Sequence, residues 1–149
     1  MLRFRRHVVS SFALALVLAA CRDITETNPL VITVAVSPAR IVPGDTTTIV
    51  VRFTNTSAGP VELPTFCQHL FEVANADGDV VAGREPLYCI MILAPPVVLG
   101  PFKSLERRFS WTGTSPVGEP LPPGLYRVYG KLAERRSTPA TIEIDAPVP

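Results

Sequence analysis

The sequence predicts an all-β fold, a β-sandwich of seven or eight short strands, and three observations carry that expectation. Proline and glycine, 16 and 9 of the 149 residues, all lie from Pro29 onward, and between them only Asp45 to Ala58, Thr65 to Asp77 and Phe102 to Thr112 exceed ten residues without either, which leaves that part little room for long helices. Within such stretches β-branched and aromatic residues alternate with polar ones at a period of two. Turn-forming residues then separate the apolar runs at short, fairly even intervals, the layout of a sandwich and not of an α/β fold.

The N-terminal segment stands apart from that fold. Met1 to Ala20 divides into a basic start with Arg3, Arg5 and Arg6 and an uncharged run from Val8 to Ala20. This is the layout of a cleaved signal peptide, and the run is too short for a transmembrane helix, which needs about 20 apolar residues. Residues 21–28 then form a short tether, and residues 29–149 a single domain of ordinary size.

The strands follow in order. Leu30 to Val36 is the first, ended by Ser37-Pro38. In Thr46 to Asn55, Ile49, Val51 and Phe53 fall on one face and Thr48, Arg52 and Thr54 on the other, as in a half-buried strand. Thr65 to Asp77 and Phe102 to Thr112 are also expected to be strands. Their Phe66, Leu70 and Val73, and Phe102, Leu105 and Phe109, would fit a helical stripe as well. Asn75-Ala76-Asp77-Gly78-Asp79, between Phe71-Glu72-Val73 and Val80-Val81-Ala82, is a hairpin turn, because it supplies residues suited to positive φ. Pro123-Gly124-Leu125-Tyr126-Arg127-Val128 reads as a turn leading into a late strand. Tyr126 stands where the tyrosine of a sandwich corner would fold back onto the main chain, although an ordinary core tyrosine fits there too. The last strand holds Ile142 and Ile144 on one face and Thr141, Glu143 and Asp145 on the other.

Composition excludes some functions. A formal charge of +1 offers no field for collecting phosphate backbones, so no nucleic-acid partner is expected. With 47% hydrophobic and 18% charged residues, the chain has material for a core and is not of the disordered class. No catalytic set emerges. His69 is the one histidine beyond the signal segment, Ser110 and Ser115 lack a nucleophile elbow, and no glycine-rich phosphate cradle occurs, so the chain is not expected to be an enzyme or to hold a cofactor. Asp77 and Asp79 read as solvated turn residues before they read as a calcium site.

Cys67 and Cys89 form an even pair and read as a disulfide in an oxidising compartment. Closing that loop would stabilise the fold by about 3 kcal/mol in the chain-entropy account. With His69 the two sulfurs could instead bind copper or zinc, but three ligands are too few, and no metal site is expected. Pro86 to Phe102 carries no charge and includes Leu87, Tyr88, Ile90, Met91, Ile92 and Leu93 without alternation. It reads either as a strand buried on both sides with a proline-rich crossover, or as an exposed patch that docks a partner.

Leu18-Ala19-Ala20-Cys21 resembles the lipobox of bacterial lipoprotein precursors. The resemblance implies a diacylglyceryl group on the Cys21 thiol, cleavage just before it and acylation of the new amino group. A thiol suits this role because it ionises near neutral pH and is a good nucleophile. Two or more acyl chains give stable anchoring where one gives marginal binding. Arg22 after the cysteine, in place of the aspartate that marks inner-membrane retention in such proteins, implies the outer membrane if the envelope has two.

Val50 to Leu132 is similar to the intracellular proteinase inhibitor-like (BsuPI-like) family of small immunoglobulin-like domains. The likeness rests on Val51-Arg52-Phe53-Thr54-Asn55-Thr56-Ser57, on Phe71 to Val81, on Arg108-Phe109-Ser110-Trp111 and on Leu121-Pro122-Pro123-Gly124-Leu125-Tyr126. It implies an immunoglobulin-like sandwich. The expectation is therefore a lipoprotein held at a membrane in the cell envelope, whose non-enzymatic sandwich binds or supports another envelope component. The alternative is a proteinase inhibitor presenting an exposed loop near Cys89.

Overall fold

A computed structural model describes residues 28–64, 69–83 and 96–147. Eleven strands lie among them: β1 (Leu30–Ser37), β2 (Arg40–Ile41), β3 (Thr47–Asn55), β4 (Val61–Leu63), β5 (His69–Ala74), β6 (Val80–Gly83), β7 (Val97–Leu99), β8 (Ser104–Trp111), β9 (Gly124–Leu132), β10 (Arg135–Arg136) and β11 (Ala140–Ile144). β1, β3 and β8 make one antiparallel sheet in that order. The second runs β2-β11-β9-β5-β6, with β10 also on β9; its one parallel pair is β2 with β11. β4 and β7 pair separately.

β3 shows why the chain folds this way. Ile49, Val51 and Phe53 are fully buried while Arg52 between them is exposed, so one face of the strand belongs to the core and the other to solvent. The same parity on β1 buries Leu30 and Ile32 and exposes Val31, and on β11 it buries Ile142 and Ile144. These faces meet Phe71 and Val73 of β5 and Tyr126, Val128 and Leu132 of β9, with Phe109 and Trp111 of β8 closing one side. The rings of Phe71 and Phe109 lie 5.2 Å apart across the layers, a contact that adds about 1 kcal/mol to the burial itself. The result is an all-β sandwich whose sheet orders match the immunoglobulin-like plan: three strands on one side, and a second sheet built around the late strand β9.

Two glycines are required by this geometry. A Cβ on Gly130 would stand 2.6 Å from Val51 Cγ1, so the sheets approach closely only because β9 has no side chain there. Gly78 takes a φ of +95° in the β5–β6 turn, where Gly78 N–H donates to Asn75 C=O at 3.2 Å and Asn75 N–H to Asp79 C=O at 3.0 Å. The hairpin thus closes where the sequence places it.

The structure also corrects the expectations. Phe102 does not begin a strand or join a stripe with Leu105 and Phe109: it is 69% exposed in a turn, and β8 starts two residues later. The apolar face of β8 is carried by Phe109 and Trp111. Strands outnumber the expected seven or eight, because β2 and β10, of two residues each, and β4 and β7, of three, are too short to show a period. β10 and β11 run along the same edge of β9 and are divided at Ser137 to Pro139. Ser137 bridges the break: its N–H donates to Gly130 C=O and its Oγ accepts from Gly130 N–H, both at 2.9 Å.

Candidate functional site

Of the residues singled out by the sequence, Cys21, Cys67, Cys89, Leu87, Tyr88, Ile90, Met91, Ile92 and Leu93 lie outside the described residues. His69 opens β5 opposite Leu132, and its side chain also lies outside the description. The described end of the uncharged segment alternates: β7 buries Leu99 and exposes Val98 while pairing with β4.

Tyr126 stands at the start of β9 with its ring in the core. Its hydroxyl donates to Pro122 C=O at 2.6 Å, folding the side chain back over the Pro122-Pro123-Gly124 turn. Burial pushes its pKa above the usual value, since the charged phenolate would lose hydration there.

The polar groups converge at the end of the sandwich where β1 begins. Asn55, the last residue of β3, shares the inward parity of Ile49, Val51 and Phe53 and is fully buried. Its Nδ2 donates to Gly59 C=O at 2.7 Å, Gly100 C=O at 3.0 Å and Leu99 C=O at 3.1 Å. Its Oδ1 accepts from Ser57 N–H at 2.9 Å and Ser57 Oγ at 2.8 Å. One satisfied amide thereby fixes the loop after β3 and the turn before β8 in a single arrangement. Its backbone N–H donates to Lys103 C=O at 2.9 Å, and Thr56 N–H donates to Pro29 C=O at 2.7 Å. The start of the described chain and the turn carrying Phe102 therefore flank the same two residues. Sequence reasoning missed Asn55 because a polar residue before Thr56-Ser57 reads as the start of a turn; its parity with Phe53 is the signal that marks it as buried.

Charged groups elsewhere pair on strand faces. Glu72 sits between Lys131 and Arg136, the latter at 2.6 Å, with the Arg136 guanidinium 5.3 Å from the Tyr129 ring centroid. Glu106 joins Arg52 at 2.5 Å and Arg108 at 3.1 Å, and the hydrogen bond from Arg52 holds its carboxyl below the usual range. Arg40 pairs with Glu143 at the β2–β11 edge. Asp79 is committed to its turn, its N–H donating to Asn75 Oδ1 at 2.9 Å. Among the described residues no group of three or more His, Cys, Asp or Glu side chains converges, and no helix is long and apolar enough to cross a membrane.

Comparison with known proteins bears on the fold. No protein-family model matches the chain, and no curated protein matches it in sequence. Among solved structures, the alkylpurine DNA glycosylase AlkC of Pseudomonas fluorescens is similar over 79% of this chain at 16% identity with a TM-score of 0.56; the match spans 31% of that protein. A β-glucosidase of Listeria innocua matches over 80% of the chain and 17% of its own, at 16% identity and a TM-score of 0.45. A CARDB domain of Pyrococcus furiosus matches over 79% of the chain and 94% of its own, at 16% identity and a TM-score of 0.41. At 16% identity the likeness to the glycosylase speaks for the fold alone and not for its activity.

Proposed function

We propose that this protein is a membrane-anchored bacterial lipoprotein, held in the cell envelope by lipid on Cys21, whose β-sandwich binds or supports another envelope component and performs no catalysis. The observation that carries the reading is Leu18-Ala19-Ala20-Cys21 at the end of an uncharged run that follows three arginines. Between Cys21 and the domain that starts at Pro29 lie Arg22 to Asn28, seven residues that reach at most about 25 Å at roughly 3.5 Å each. A domain on so short a tether stays beside the bilayer, where contact with a neighbouring envelope component requires little search. The resemblance to the BsuPI-like domains belongs to the same proposal and concerns the scaffold alone.

The test is fractionation of cells expressing the full chain or Cys21→Ala. The full chain is expected in the membrane fraction, released by detergent but not by salt, and labelled by a fatty-acid probe. Cys21→Ala is expected to lose both label and membrane association; its recovery in the lipid fraction contradicts the proposal.

A further inference from the structure

The turn between β7 and β8 has an unusual occupant. Lys103 N–H donates to Gly100 C=O at 3.2 Å, with Pro101 second in the turn and Phe102 third at a φ of +56°. That third position, when it needs a positive φ, is normally filled by glycine or asparagine. Here it holds a large aromatic ring, 69% exposed, so the isolated domain bears backbone strain and leaves apolar surface in water at the same place.

We propose that Phe102 and Lys103 make a contact with the lipid bilayer, the ring entering the boundary between headgroups and acyl chains and the ammonium meeting lipid phosphate. This rests on the lipid-anchor reading above. Three observations favour a bilayer as the occupant. The described chain starts beside this turn, because Pro29 C=O is bonded to Thr56 N–H while Asn55 N–H is bonded to Lys103 C=O. The tether, at most about 25 Å long, is no longer than β3, which separates the two ends of the sandwich by roughly 27 Å at about 3.3 Å per residue. An anchored chain is thus biased to hold the Phe102 end toward the membrane. Finally, the exposed tips at this end suit a headgroup surface: Ala58, Gly59, Pro60, Pro101, Phe102 and Lys103 include one cation and no carboxylate. Of the carboxylates nearby, Glu62 is exposed on β4 opposite Val98, and Glu134, in the turn on the opposite sheet, is followed by Arg135 and Arg136. Asn55 binds both tips to each other, so docking costs little ordering.

The experiment reconstitutes the full lipidated protein into phosphatidylethanolamine–phosphatidylglycerol vesicles with and without brominated acyl chains. Phe102→Trp adds a reporter at the turn, and Val117→Trp adds one in the exposed loop at the far end, both over the same buried Trp111. The emission at position 102 is expected to shift to the blue on reconstitution and to be quenched by the brominated chains, while that at 117 keeps its intensity. Hydroxyl-radical labelling of the unsubstituted chain supplies a readout free of any folding defect: Phe102 is expected to be protected once the protein is in vesicles. If the protein floats with the vesicles and position 102 is quenched no more than 117, the contact is wrong and the anchor stands. Protection of Phe102 without quenching by bromine overturns it in favour of a contact between copies of this chain. A chain that does not float with vesicles overturns the anchor and this contact with it.

Discussion

At the scale of single residues, two side chains carry more than their size suggests. Asn55 satisfies three carbonyls and a serine from inside the core, so Asn55→Ala leaves buried acceptors unpartnered. The loss is expected to be about 2–3 kcal/mol, read from the urea midpoint, and a loss below ~0.5 kcal/mol would contradict the role assigned to it. Tyr126→Phe removes one hydrogen bond and is expected to cost about 1 kcal/mol. It also changes the alkaline limb of stability. The folded-state pKa of Tyr126 is raised, so its contribution is complete below the ordinary value near 10 and is lost as pH rises through the raised value, where the unfolded chain ionises first. Stability, read from urea denaturation between pH 8 and 11, is expected to fall off less steeply for Tyr126→Phe than for the unsubstituted chain. Neither role was equally legible in sequence. The Pro-Pro-Gly-Leu-Tyr spacing points to Tyr126, whereas Asn55 is marked by its parity with Phe53 alone, and that signal is masked by the turn-like Asn-Thr-Ser sequence.

At the scale of elements, legibility tracked length. β1, β3 and β11 run long enough for a period of two to be read directly, and their buried positions are those the alternation names. Two-residue strands such as β2 and β10 exist because a neighbouring strand holds them, which is a tertiary cause with no local trace. Phe102 misled for a related reason: hydrophobicity alone placed it in the strand, and the preceding Pro101 made the turn. The close approach of the two sheets is likewise a matter of elements and depends on Gly130. Gly130→Ala drives a methyl into Val51 and is expected to cost about 1–3 kcal/mol as the sheets shift apart. A thermal melt unchanged from that of the unsubstituted protein would show that the layers are not packed as described.

At the scale of the whole molecule, the account describes a polar object: a sandwich with its first strand, its amide-bonded loops and Phe102 at one end, and the β5–β6 hairpin at the other. The architecture could be read from the sequence because burying alternating faces in two layers is the solution open to short strands divided by proline and glycine. Partner identity is different, since it depends on surface chemistry that the fold leaves free. In the function proposed above, the lipid on Cys21 is what orients the molecule at the membrane. Mass spectrometry of the N-terminal peptide from protein extracted out of membranes tests this most directly. The account predicts a peptide that begins at Cys21 and carries the mass of a diacylglyceryl group; a peptide that begins elsewhere, or an unmodified Cys21, would contradict it.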